Sequence, residues 1–182
     1  MAKGTKDTIR LGSGNLLYKE YTDTMPAYSD FDDETDLLGR IQGGATLEYS
    51  GEWYEAKDDS GKVVKTIITD ENATLKSGIL TWNGTTLATL CSTARVTESE
   101  GIRIVKIGGA SNFNGKSYAI CFHHEDKIDG DVWVVLRAVN QGGLAIAFAK
   151  DKETVIDAEF KALPQDTEGT LIQYVEEIAD NA

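Results

Sequence analysis

The sequence predicts a mainly β, antiparallel domain, a β-sandwich or distorted barrel with one short flanking α-helix. Three observations carry that expectation. Apolar and polar residues alternate with a period of two in several windows; runs rich in β-branched residues are separated by Gly, Asn and Asp turns; and one window alone has the helical period.

The clearest alternation is Ile156, Ala158, Phe160 and Ala162 interleaved with Asp157, Glu159 and Lys161, which predicts a half-buried strand. Leu47, Tyr49 and Trp53 alternate with Glu48, Ser50 and Glu52 in the same way. Tyr118, Ile120 and Phe122 place bulky groups on one face and Ala119 and Cys121 on the other. β-Branched density predicts further strands at residues 63–69, 102–107, 132–139 and 144–148. Asp59-Ser60-Gly61, Asp129-Gly130, Gln141-Gly142-Gly143 and residues 166–169 supply the turn chemistry that joins neighbours as hairpins. Leu87, Leu90, Cys91 and Ala94 fall at i, i+3, i+4 and i+7 with Asn83 placed as a cap, which predicts the helix.

Residues 21–44 show no period and read as a long loop. Met25, Tyr28, Phe31, Leu37, Leu38 and Ile41 make it more apolar than a disordered linker needs, so these six are candidates for contact with a neighbouring subunit. The hairpin at residues 47–69 has long strands and a charged tip, Lys57-Asp58-Asp59-Ser60-Gly61-Lys62. It is expected to project, with Lys57, Asp58, Asp59 and Lys62 available to meet another copy.

At 182 residues the chain fits one domain that buries about 70% of its unfolded surface, without metals or disulfides. No internal repeat or linker marks a second domain, and the first few residues and 180–182 are expected to be mobile. No apolar run is long enough to cross a bilayer, and no apolar stretch follows the lysines at the start, so no membrane role and a cytoplasmic location are expected. Cys91 and Cys121 sit among apolar residues, as buried free thiols do. Eighteen basic against 30 acidic residues give a net charge of −12, which opposes tight binding to phosphate backbones.

The sequence offers no persuasive active site. His123-His124-Glu125-Asp126 gathers metal-ligand types, but neighbours on a strand point to opposite faces, so His123 and His124 do not share an ion, and no metal or cofactor is expected. Residues 126–131 lack the ligand spacing of a calcium loop and read as a turn. Residues 108–115 are Gly-rich but lead into a strand rather than a helix, and no P-loop Lys-Ser or Lys-Thr follows. Gly12-Ser13-Gly14 lacks nucleophile-elbow spacing. The expectation is a non-enzyme.

The chain order adds a resemblance. A strand hairpin and a long loop ending Leu38-Gly39-Arg40-Ile41-Gln42-Gly43-Gly44 precede a strand with Glu48-Tyr49 and then Lys65-Thr66-Ile67-Ile68-Thr69-Asp70-Glu71. Next come Leu75-Lys76-Ser77-Gly78-Ile79-Leu80-Thr81-Trp82-Asn83, the helix, and a closing hairpin that opens Val155-Ile156-Asp157-Ala158-Glu159-Phe160-Lys161-Ala162. Over about residues 10–175 this resembles the major tail tube proteins of siphophages and related prophages. The resemblance implies a β-sandwich or barrel that closes into hexameric rings, stacked into a tube for DNA in a virion tail. Its implied partners are further copies of itself, a tail tip or baseplate, a tape measure protein and a tail terminator. The alternatives are a terminator, baseplate or decoration protein, and, in a different class, a small-ligand-binding β-barrel.

Overall fold

The structure, a computed structural model, describes residues 12–178. The ends expected to be mobile, the first few residues and 180–182, lie outside that range. The chain is mainly antiparallel β with one short helix, as the alternation predicts.

β1 (Asn15–Glu20), β2 (Leu37–Gly39), β3 (Ile41–Lys57), β4 (Val63–Ile79), β7 (Tyr118–His124), β8 (Val132–Asn140), β9 (Ile156–Leu163) and β10 (Gln173–Glu176) form one sheet. Its order is β2-β1-β7-β8-β9-β4-β3, with β10 also on β8. β8 is the fork: Val132 to Val135 pair with β10, whereas Arg137 to Asn140 pair with β9. β5 (Arg95–Ser99) and β6 (Ile102–Lys106) make a separate hairpin, which packs beside α1 (Gly84–Leu90).

The alternation sorts side chains onto the two faces. Leu16, Ile120, Val134, Leu136 and Phe160 belong to the main core with Leu75, Ile79, Ile156 and Leu90, whereas the intervening Leu17, Cys121 and Val135 form a second, smaller cluster on the other face. Both faces of β1, β7 and β8 are therefore covered. In β9 the expected pattern holds: Ile156, Ala158, Phe160 and Ala162 are buried, and Asp157 and Lys161 are exposed.

The helix begins where the sequence places it. The Asn83 side chain accepts hydrogen bonds from the Thr85 and Thr86 amides at 2.8 and 3.3 Å. It ends at Leu90, so Cys91 is its C-cap and Ala94 lies beyond it. Buried Thr86 donates to the Leu38 carbonyl at 3.2 Å, which seats the helix against β2.

Two expectations are corrected. Residues 21–44 are not one loop. Tyr28–Asp30 is a 3₁₀ turn, Leu37–Gly39 is β2, and β3 already begins at Ile41. Gly43 and Gly44, with φ of +83° and +76°, form a bulge between Gln42 and Ala45. Side chains rarely adopt two successive left-handed positions, so the strand bends there and its period is lost from the sequence. Residues 144–148 are not a strand: they join no ladder among the described residues. Leu144 and Ile146 nevertheless pack on the main core as irregular chain.

Candidate functional site

The body of the sheet holds only part of the β3–β4 hairpin. β4 pairs with β9 over Thr74 to Ile79, but its ladder with β3 continues to Lys57 and Val63. Among the described residues, β3 pairs with β4 alone, so its outer edge is open. Residues 49–57 extend about 30 Å at strand spacing, and every β4 residue from Val63 to Asn72 is exposed. The hairpin is an arm that projects from the body.

The arm is apolar in a directed way. Leu47 faces Leu75 and Tyr49 faces Ala73, both partners lying in the main core. Beyond Gly51 and a bulge at Thr69, Trp53 faces Ile68 on the same side. A Cβ on Gly51 would lie 2.6 Å from Ile68 Cδ1, so glycine lets Ile68 fold over the strand. The face that forms the core within the body thus runs outward into solvent, where Tyr49 is 54% and Trp53 66% exposed. The Tyr49 hydroxyl donates to the Glu71 carboxylate, and this bond, with some desolvation, raises its pKa. The reverse face carries Glu48, Glu52 and Asp70 with exposed Tyr54 and Ile67; Glu48 pairs with Lys76 at 2.9 Å.

At the tip, Asp58 builds the turn. Its carboxylate accepts from the Ser60 hydroxyl at 2.6 Å and from the Ser60 and Lys62 amides at 2.9 Å, and Gly61 turns the chain at φ +81°. The Ser60 hydroxyl, followed by the Lys62 amide, holds the Asp58 carboxyl below its ordinary range. Lys57 lies 4.0 Å from Glu55. All four tip residues are exposed; Asp58 closes the turn through its carboxylate and Lys62 through its backbone.

The six apolar residues of the 21–44 segment are placed within the subunit. Met25, Phe31 and Leu37 cover the second cluster beside Trp133, and Leu38 and Ile41 join the main core. Tyr28, 40% exposed, rests against Trp133 with ring centroids 4.9 Å apart. Residues 21–36 therefore form a flap over the outer sheet face. Lys19 fastens it, pairing with Asp36 at 2.9 Å and lying 5.9 Å from the Phe31 ring centroid.

A second fastening is a charged cluster. His123 Nδ1 lies 2.9 to 3.0 Å from both Asp33 carboxylate oxygens, and Nε2 lies 3.1 Å from Asp131. Its ring stacks on Trp133 at 4.9 Å and 8°. Burial pulls the imidazole pKa down, but the bonds to Asp33 and Asp131 outweigh it and the net shift is upward. His124 points to the other face, where it is buried and bonds the Ser13 carbonyl at 2.6 Å. The sequence shows His123 but not its partners: Asp33 is 90 residues away, and only the fold brings it in.

The remaining motifs are structural. Asp126 accepts from the Ile128 and Asp129 amides and Asp131 from the Asp126 amide, which makes residues 126–131 a turn. Ala110–Asn112 within the Gly-rich segment is a 3₁₀ turn, tied to the helix end by the Asn114 amide on the Ser92 carbonyl. Both cysteines are free. Desolvation, with the Asp33 charge adding to it, pushes the Cys121 thiol up to about 12.

Neither the family models nor the curated proteins compared with this chain match it.

Proposed function

We propose that this chain is a non-enzymatic structural protein that self-associates into hexameric rings, stacked as the tail tube of a phage or phage-derived particle. The observation that supports the reading best is the arm, because an apolar face continuous with the core leaves the body and finds no cover among the described residues. Contiguous exposed apolar surface of this kind is a mark of association.

The open edge of β3 adds to it. Unpaired N–H and C=O groups along a 17-residue strand are a template for pairing with another chain, and a closed ring removes that edge for every copy. In this reading Asp59, Lys57 and Lys62 meet the next ring and set register more than affinity. DNA is a transient passenger, kept from adhering by the net charge of −12. The other partners are tail tip or baseplate, tape measure and terminator proteins, with assembly in the host cytoplasm and final residence in the virion tail.

The test is assembly itself. Concentrated, long-incubated protein is followed by light scattering and negative-stain microscopy, and open-ended tubes of stacked rings are expected. A protein that stays monomeric refutes the reading, and closed rings that never elongate favour a capping component such as a terminator.

A further inference from the structure

We infer that Asp33, His123 and Glu125 form a binding site for one divalent transition-metal ion of the zinc type, which clips the flap to the sheet. The inference is independent of whether the chain forms tubes. Three facts of geometry carry it.

First, the donor set converges. One ligand atom from each of the three residues lies within 4.8 Å of the other two. A tetrahedral ion with bonds of about 2.1 Å needs ligand atoms roughly 3.4 Å apart, so the widest separation closes by no more than about 1.4 Å while the His123–Asp33 pair, now at 2.9 Å, opens by about 0.5 Å. Glu125 is the exposed member and can swing inward, while His123 is held by its stack on Trp133.

Second, the imidazole is already oriented as a ligand. Metal-bound histidines almost always present the other ring nitrogen to a carboxylate or carbonyl, which fixes the tautomer and aims the free lone pair. Asp131 does this for His123 Nε2 at 3.1 Å, and Asp131 is itself positioned by bonds with the Asp126 and Glu177 backbone and side chain. Nδ1 then faces the Asp33 oxygens, and the ion takes the place of the proton between them, which leaves to solvent.

Third, a free carboxylate completes the set. Asp33 and Asp131 lie on the two ring nitrogens of His123, and Glu125 stands beside them. Glu125 makes no hydrogen bond or ion pair among the described residues. The mixed nitrogen and carboxylate set suits zinc-like ions better than calcium or magnesium, which prefer oxygen ligands. Water fills the fourth position.

The ion joins three points: Asp33 in the flap, His123 at the end of β7, and Glu125 just beyond it. The experiment uses the full chain, stripped with EDTA and dialysed, and titrated with Zn²⁺ by calorimetry and by thermal unfolding. One saturable Zn²⁺ per chain is expected, with a melting temperature that rises with free Zn²⁺. Glu125→Gln removes an exposed, unpartnered carboxylate, so its Zn²⁺-free melting temperature matches wild type while its Kd rises at least about ten-fold. Asp131→Asn weakens binding about 10–100-fold through the orientation of His123. Absence of saturable one-to-one binding, many weak ions as an acidic surface collects, or a Glu125→Gln variant that binds like wild type each overturns the site.

Discussion

Replacing Trp53 by Thr separates the arm's part in assembly from its part in folding. Trp53 is 66% exposed and cross-strand from Ile68, which is 40% exposed. In the isolated subunit the substitution removes one cross-strand pair, about 0.2 to 1 kcal/mol, and keeps a β-branched residue in the strand. At about 2–4 °C per kcal/mol for a chain of this size, melting moves by a few degrees at most. In the proposed tube the loss is larger. A tryptophan offers up to about 250 Å², so roughly 165 Å² remains to be covered by a neighbour, a ceiling of about 4 kcal/mol at 25 cal/mol per Å². Partial cover halves that to about 2 kcal/mol. The critical concentration for tube growth therefore rises about 30-fold to 1,000-fold. Sedimentation across a concentration series gives that threshold, and circular dichroism of the unassembled fraction gives the melting temperature. Tubes at the wild-type threshold refute the assignment of the arm's face as the contact, and a drop of more than about 10 °C shows that Trp53 belongs to the subunit's own stability.

Other outcomes follow from the same structure. Replacing residues 57–62 by a short Asn-Gly turn leaves the melting temperature within a few degrees and stops elongation of tubes seen by microscopy; normal-length tubes move stacking to other elements. Asn140→Ala is the opposite case, because the buried amide donates to the Leu90 and Gly143 carbonyls and accepts from the Gly142 and Glu159 amides. It costs about 3 kcal/mol in urea unfolding, through unsatisfied buried groups, and a loss under about 1 kcal/mol contradicts the network. For Asp58 the folded-state pKa lies below the model-compound value of 3.8. Its contribution to the turn is thus complete at neutral pH and is lost as pH falls through that depressed value. The Ser60 and Lys62 amide resonances are expected to shift with a midpoint below 3.8, and a midpoint at or above it refutes the hydrogen-bonded turn.

Local signals explain what the sequence made legible. The β9 alternation and the Asn83 cap are each decided by a few adjacent residues, and both stand in the structure where the pattern placed them. What was missed depends on distant chain. The Gly43-Gly44 bulge broke the period of β3, so eight strand or near-strand residues read as loop. Residues 144–148 have strand composition but join no ladder among the described residues, and composition does not say whether a partner strand lies alongside. The cluster at His123 needs Asp33 from the flap, and no spacing rule reaches across 90 residues.

The arm shows a different limit. Leu47, Tyr49 and Trp53 have the same alternation as Ile156, Ala158 and Phe160, yet Phe160 is 1% exposed and Trp53 66%. Alternation states that one face is apolar; it does not say which surface covers it. An isolated two-stranded ribbon is marginal in water. This one is held at its base by the ladder of β4 with β9, and among the described residues its far half has only its own cross-strand pairs. Covering the far half with a neighbour removes apolar surface and pairs the open edge in one step, so order in the arm and association of subunits are thermodynamically linked. Amides of residues 49–57 and 63–72 are therefore expected to exchange fast in dilute protein and slowly in assembled protein, while amides of β7 and β8 exchange slowly in both. Equal protection of the arm in both states breaks the link, because it shows the ribbon to be fully ordered before any partner reaches it.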